Sequence, residues 1–210
     1  MIKTCEELYN ATENPKINDI TLDLLREYYE TYLCPYIFKY EIKDGTNTRE
    51  IELRFDEENF CHLLGLESIV RRNVRDIFRY KGQKGWDEIK SGNIDISELK
   101  GRNKSGFKDN KARFVFFYLL PKLVDAPQGI LFDPQKLSGN TRIECELLFF
   151  DRFKKAYIHI GIEYDETKDC YIPRTFLIEK ITKHNDGMKY IESQTQISVK
   201  KIHKNEIEVL

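Results

Sequence analysis

The chain lacks a C-x-x-C pair, an internal repeat, a low-complexity tract and a Pro/Gly-rich linker. Its five cysteines (Cys5, Cys34, Cys61, Cys145, Cys170) are scattered and odd in number. That argues against a disulfide framework and a structural zinc site, and for reduced thiols in a cytoplasmic setting. No apolar run approaches the roughly 20 residues that span a bilayer, so no membrane partner is expected. The start, Met-Ile-Lys-Thr-Cys-Glu-Glu, turns acidic before any apolar stretch and does not read as a secretory signal. P-loop, dinucleotide-binding, H-E-x-x-H and EF-hand patterns are missing, and acidic residues do not cluster with histidine at metal-ligand spacing. The expected chemistry therefore uses no cofactor and no metal.

What is present is a core and an uneven charge. Of 210 residues, 40% are hydrophobic and 33% charged, with 13 Phe and 12 Tyr, which favours a fold containing β-structure. The net charge of −1 hides an asymmetry: residues 1–60 hold 7 basic and 14 acidic side chains, whereas residues 71–122 hold 14 basic and 6 acidic ones. A basic stretch inside a neutral chain is either a solvated lysine-rich region or a face that meets phosphate.

Periodicity divides the chain into a helical first half and a stranded second half. Residues 18–35 repeat apolar positions at helical spacing (Ile20, Leu22, Leu25, Tyr28, Tyr29, Leu33), with Asp19 or Thr21 to cap the start and Pro35 to end the helix. Residues 36–43 and 49–55 alternate around an Asp44-Gly45 turn and read as a hairpin. Short helical pieces are expected near 70–80, 85–90 and 95–99. Residues 108–124 read as a buried helix, with a buried strand competing for the FVFFYLL stretch. Strands are expected at 130–134, 143–150, 155–164, 171–180, 188–192 and 195–202, separated by turn signals that include Ser138-Gly139-Asn140. The expectation is an α+β fold: N-terminal helices and a β-hairpin packed against a C-terminal antiparallel sheet, with residues 1–35 as a helical extension and 36–210 as one compact domain.

Few residues in this frame carry chemistry. His62 lies in Asn59-Phe60-Cys61-His62-Leu63-Leu64-Gly65-Leu66, behind the acidic run Asp56-Glu57-Glu58 that reads as a helix start. Histidine changes charge near neutral pH without environmental help, so a fixed one suits acid–base work. The plain alternative is a core ring satisfied by a backbone carbonyl. Arg113 opens an apolar segment, where a guanidinium is costly unless paired; Asp109, four residues earlier, could pair with it, or a phosphate could. Ser105 could orient that phosphate or cap the helix. In Pro173-Arg174-Thr175-Phe176, strand alternation puts Arg174 and Phe176 on one face and Thr175 on the other. His159 alternates with Tyr157 and Gly161 against Ile158, Ile160 and Ile162, on what reads as the more polar face. His184 and His203 read as surface loop and tail residues.

Taken in order, ENFCHLLGL, SGFKDNKARFVFFYLLPKLV, IECELLFFDRF, AYIHIGIEYD and YIPRTFLIEK resemble the fourth of the phage-associated Barnase–EndoU–colicin–RelE-like nuclease families, over roughly residues 36–182. Members of that family show a helix of the NFxHLxGL type, a Ser-x-x-aromatic lead into an arginine-bearing helix, and a late P-x-[ST]-F strand. Here Phe107 follows Ser105 by two residues, and Thr175 stands where serine is more usual. The resemblance implies metal-independent RNases with helices on a four-stranded antiparallel sheet, cleaving RNA by attack of the 2′-hydroxyl on the adjacent phosphate. It implies catalytic roles for His62, Arg113 and Thr175, and substrate contacts from Ser105, with Lys104 and His159 as further candidates for contact or proton transfer. It also implies phage, toxin or antiviral-defence origin. The alternative is an inactive nuclease fold that inhibits a host or defence factor, taking a protein partner or antitoxin on its acidic N-terminal region.

Overall fold

The computed structural model describes residues 2–137 and 143–206, with side chains described through 202; the Ser138-Gly139-Asn140 turn and the His203 side chain lie outside the described residues. The contacts divide the chain into two compact units, one of residues 1–35 and 56–119, the other of 36–55 and 120–210.

The first unit is helical. Helices α1 (Cys5–Tyr9) and α2 (Leu22–Tyr32) begin on threonine caps: Thr4 accepts from the Glu7 N–H at 3.1 Å, and Thr21 from the Leu24 N–H at 3.0 Å. The chain returns to this unit at Asp56, whose N–H donates to Asn59 Oδ1 at 3.0 Å in a capping box. A 3-10 turn (Glu57–Asn59) then leads into α3 (Phe60–Leu64). Helices α4 (Leu66–Val70), α5 (Gly82–Lys90), α6 (Ile96–Arg102) and α7 (Lys104–Phe116) follow, with a 3-10 turn at Ile77–Tyr80. The FVFFYLL stretch is helical throughout: α7 runs into a 3-10 turn (Phe117–Leu119), and α8 (Leu120–Asp125), which belongs to the second unit, follows in the chain.

An aromatic knot holds the helices together. The Phe60 ring meets Trp86 edge-on at 5.4 Å, Phe117 edge-on at 5.5 Å and Tyr29 at 5.4 Å, and all four are wholly buried. Edge-to-face pairs are favoured by the ring quadrupole and add to the roughly 1.5–3 kcal/mol expected from burying a side chain such as Phe. The hydroxyls are satisfied as well: Tyr28 donates to the Tyr118 carbonyl at 2.8 Å and Tyr29 to the Asp56 carbonyl at 3.0 Å.

The second unit is a closed seven-stranded barrel in the order β1-β2-β6-β5-β4-β3-β7, with β7 pairing back onto β1. Its strands are β1 (Tyr36–Asp44), β2 (Asn47–Arg54), β3 (Gln128–Leu131), β4 (Leu147–Phe153), β5 (Ala156–Asp165), β6 (Cys170–Lys180) and β7 (Thr195–Glu206). The α+β class and the mostly antiparallel pairing hold, but the sheet closes on itself with seven strands, which corrects the four that the family resemblance implies. The hairpin β1–β2 does not pack against the sheet but forms part of it, and β2 meets β6 in parallel at Leu53↔Tyr171. Long-range pairing of β7 with both β1 and β3 closes the ring. Residues 188–192 are not a strand: the Met188 carbonyl accepts from the Ile191 and Glu192 N–H groups, which makes a helical turn that buries Ile191. In this unit the buried Tyr40 packs edge-on against Phe149 at 5.1 Å and donates to the Val124 carbonyl at 2.5 Å.

Candidate functional site

The His62 helix is a single apolar turn with one polar exception. Phe60, Cys61, Leu63 and Leu64 are fully buried, whereas His62 is exposed. Helix geometry explains this. His62 lies two residues from both Phe60 and Leu64, on the opposite side of the turn. The backbone that carries the imidazole is therefore anchored in the aromatic knot while the ring meets solvent. The alternative of a core-packed histidine does not describe it.

Gly65 ends this turn in the left-handed region at φ +72°, and its N–H donates back to the Cys61 and His62 carbonyls. Glycine is required here twice over. Side chains rarely adopt that φ, and a Cβ would lie 2.7 Å from Asn110 Oδ1 and 2.8 Å from Arg113 Nη1. The Arg113 guanidinium thus sits directly on the turn that follows His62, and its Nη1 donates to the Leu63 carbonyl at 3.4 Å. α7 supplies both of these side chains, and Asn110 is itself fixed by donating to the Gly106 carbonyl at 2.9 Å. The structure brings the His62 turn and Arg113 together as one corner of the helical unit.

Ser105 is exposed in the first turn of α7, as is Lys104. Ser105 is not the cap. Asn103 is: its Oδ1 accepts from the Gly106 N–H at 2.9 Å while its Nδ2 donates to the Ile69 carbonyl at 2.8 Å. Ser105 precedes Arg113 by eight residues, about 12 Å along the helix. Asn103 takes the capping role that was one of the two alternatives for Ser105, and the serine is left exposed.

Thr175 and His159 belong to the barrel unit. The expected face assignment at Pro173-Arg174-Thr175-Phe176 fails because the β5–β6 ladder slips there: Gly161 pairs with Thr175, but Ile162 pairs with Pro173. Arg174 is the extra residue of a bulge. It is exposed and ion-paired to Glu163 at 2.9 Å, while Phe176 is buried. The bulge also accommodates Pro173, which has no N–H to give to a ladder. Thr175 is half-buried, with its methyl group against Gly161, where a Cβ would come within 2.7 Å.

His159 is corrected too. Far from lying on a polar face, its ring is completely buried among Phe150, Tyr157 and Tyr190, with the Tyr190 ring edge-on at 5.6 Å. Neither ring nitrogen has a hydrogen-bond partner of ordinary geometry among the described residues. Burial pushes its pKa down to about 4, opposed only weakly by the backbone of Leu177, its cross-strand neighbour. His184 is exposed, as expected.

The sequence reading missed one polar constellation in the barrel. Glu146 accepts from Arg49 Nη2 at 2.5 Å and from the Tyr171 hydroxyl at 2.8 Å, and the Arg49 guanidinium lies 5.8 Å from the Tyr171 ring centroid. Burial, and then the Glu146 carboxylate, push the Tyr171 hydroxyl well above its ordinary pKa. Only the strand pairing, which joins residues about a hundred positions apart, assembles the group, so no local signal could have found it. Among the described residues, no group of three or more His, Cys, Asp or Glu side chains is arranged to hold a metal ion, and no helix is long and apolar enough to cross a membrane.

Comparison with curated proteins returned no match, nor did comparison with solved structures. A family model does match, and it extends beyond the resemblance at both ends. The chain belongs to the phage-Barnase-EndoU-ColicinE5/D-RelE like nuclease 4 family (PBECR4), which matches residues 26–210.

Proposed function

We propose that the chain is a metal-independent endoribonuclease that acts by attack of the RNA 2′-hydroxyl on the adjacent phosphate. The observation that carries this reading is the corner formed by the His62 turn and Arg113, with Arg113 Nη1 donating to the Leu63 carbonyl. It pairs the two side-chain types that such a reaction needs. The chemistry requires a group to move a proton at the 2′-oxygen or the leaving 5′-oxygen, and a fixed cation for the charge that develops on phosphorus. His62 takes the proton-transfer role, because its ring is exposed on a rigid turn. Arg113 takes the charge-stabilising role, worth ~3–4 kcal/mol for one well-placed donor. Ser105 and Lys104, exposed in the first turn of α7, would position phosphate. Lys104 is the candidate for the second proton transfer. His159 has no part in this reading, since its buried ring is neutral at physiological pH.

The test is cleavage of an unmodified RNA in EDTA by the whole chain and by His62→Ala and Arg113→Ala variants shown to be folded. Loss of cleavage in both variants, with activity retained by the parent in EDTA, is expected. Cleavage at parental rate by both would overturn the assignment.

A second reading rests on a specific surface. Glu6, Glu7, Glu13 and Glu27 are exposed on the first two helices and the segment between them. Such a face repels RNA and suits a basic protein partner, as in an inactive nuclease fold used as an inhibitor. A stoichiometric protein complex that is lost on reversing these charges, in a chain with no RNA cleavage, would select that reading.

A further inference from the structure

A group of cations in the helical unit lies outside the corner just described. A cleft of about 380 Å³ opens around the 3-10 turn at Ile77–Tyr80, lined by Asn73, Arg75, Asp76, Arg79, Tyr80 and Arg102 among others. Three guanidiniums around one cavity repel one another unless something negative offsets them. Two glutamates do so in part, from behind. Glu88 Oε2 accepts from Arg79 Nε at 3.1 Å and Nη2 at 2.5 Å. Glu98 Oε1 accepts from Arg102 Nε at 2.8 Å and from the Tyr80 hydroxyl at 2.6 Å. In both pairs the carboxylate is the more buried partner, at 22% and 24% exposure against 36% and 46% for the guanidiniums. The glutamates act as posts that aim the arginines outward. Asp76, the carboxylate in the lining itself, is taken up by Lys84 at 2.8 Å. Among the described residues, the exposed side chains of Arg71, Arg72 and Arg75 make no hydrogen bond or ion pair.

Phe78 projects from the middle of the same turn and is 63% exposed, the most exposed large apolar side chain among the described residues. Lys81 Nζ lies 4.6 Å from its ring centroid, so the ring sits within the positive field instead of on an apolar patch. An aromatic face beside outward-aimed guanidiniums is the pairing that single-stranded nucleic acid uses: the ring stacks a base while the cations hold the flanking phosphates. An acidic protein segment would use the arginines but has no need of the ring. A duplex would keep its bases stacked within itself and leave the ring without a partner.

We propose that the cleft of Arg75, Arg79 and Arg102, with Phe78 beside it, is a single-strand RNA-binding subsite that holds substrate separately from the residues assigned to cleavage. The choice of RNA rests on the nuclease reading; the binding itself does not require cleavage. The test therefore uses a labelled single-stranded 2′-O-methyl oligonucleotide, which lacks the attacking hydroxyl. Affinity is measured by fluorescence anisotropy across salt concentrations for the whole chain, for Arg75→Gln and for Phe78→Ala. Both side chains are exposed and neither makes a hydrogen bond or ion pair among the described residues, so the variants keep the fold.

Arg75→Gln should weaken binding about 5-fold or more and lower the salt slope by about 0.7, the share of one phosphate contact on a single strand. Phe78→Ala should weaken binding by about 5- to 100-fold with the slope unchanged, because stacking releases no counterions. Parental affinity in both variants overturns the inference. So does a loss confined to Arg75→Gln together with displacement of the oligonucleotide by poly-glutamate, which would mark a site for acidic protein. If the parent binds with these signatures but does not cut unmodified RNA, the subsite stands and the cleavage reading falls. If it cuts RNA and both variants bind like the parent, the reverse holds.

Discussion

The two units each hold a histidine and treat it in opposite ways. In the helical unit, His62 is the exposed position of a five-residue helix whose other four side chains are buried, beside a turn held by Arg113. In the barrel, His159 sits mid-strand with no exposure, among aromatic rings, and neither nitrogen has a hydrogen bond of ordinary geometry among the described residues. The first is exposed to solvent. The second is held neutral by its surroundings and changes charge only at the expense of its packing. Location in an apolar segment was the same signal for both. The outcome depends on the element: on the helix, a position two residues from buried neighbours turns outward, whereas in β5 residues 158–162 are buried on both faces, so neither face leads to solvent.

The largest effect that would break this contrast is catalytic. His62→Ala should lower RNA cleavage by about 100- to 10,000-fold, the usual contribution of a general acid or base. Its urea midpoint should stay within what about 0.5 kcal/mol would move, as expected for an exposed side chain. A loss of activity accompanied by a large drop in the midpoint would make His62 a structural residue and remove the distinction from His159.

The second effect concerns the buried ring. The unfolded chain takes up a proton on histidine near pH 6.5, but the folded chain holds His159 neutral down to about pH 4. Between these values the unfolded state binds more protons, so stability falls as pH falls, with the full loss reached below about pH 4. The gap corresponds to ~3 kcal/mol at ~1.4 kcal/mol per pKa unit. His159→Phe removes both the titration and two unsatisfied nitrogens. It should be at least as stable as the parent at pH 7 and more stable by ~3 kcal/mol at pH 4, as measured by urea unfolding at each pH. Equal pH slopes for parent and variant would show that His159 is protonated in the folded chain.

Legibility in the sequence follows the same division. Elements defined by local spacing were readable: α2 with its Thr21 cap, the β1–β2 hairpin, the turn around His62, and strands β5 and β6. Features defined by partners far along the chain were not. Closure of the barrel needs β7 to pair with β1, as at Ile42↔Val199, and nothing near either residue announces it. His159 reads as facing a polar side because its strand neighbours Tyr157 and Gly161 are not aliphatic. It is buried because Tyr190 and Ile191, from the turn that reads as a strand, come to lie in the same cluster. The bulge at Arg174 had a local sign in Pro173, which cannot serve a central strand without one.

A smaller effect tests whether the His62 corner is held as described. Gly65→Ala places a Cβ at a left-handed position, at a cost of ~1–2 kcal/mol, and directs it at the ends of Asn110 and Arg113. Both are flexible side chains, so the fold should survive while Arg113 moves. Urea unfolding should report the destabilisation, and cleavage should fall further than the loss of folded protein accounts for. A proportional fall in both would mean that the position of Arg113 does not matter to the reaction.

The smallest effect separates α7's anchoring from its chemistry. Asn103 and Ser105 lie two residues apart at the start of the same helix, and only Asn103 bonds the backbone, to the Gly106 N–H and to the Ile69 carbonyl. Removing an N-cap typically costs ~1 kcal/mol. Asn103→Ala should therefore lower stability by about that amount, or slightly more for the second bond, with little change in cleavage per folded molecule. Ser105→Ala removes no cap, so it should leave the unfolding midpoint unchanged and weaken only the binding or turnover of RNA. If Ser105→Ala instead destabilises the chain and Asn103→Ala does not, the cap has been assigned to the wrong residue. The exposed hydroxyl would then have no claim on phosphate, and the helical unit's part in catalysis would rest on His62 and Arg113 alone.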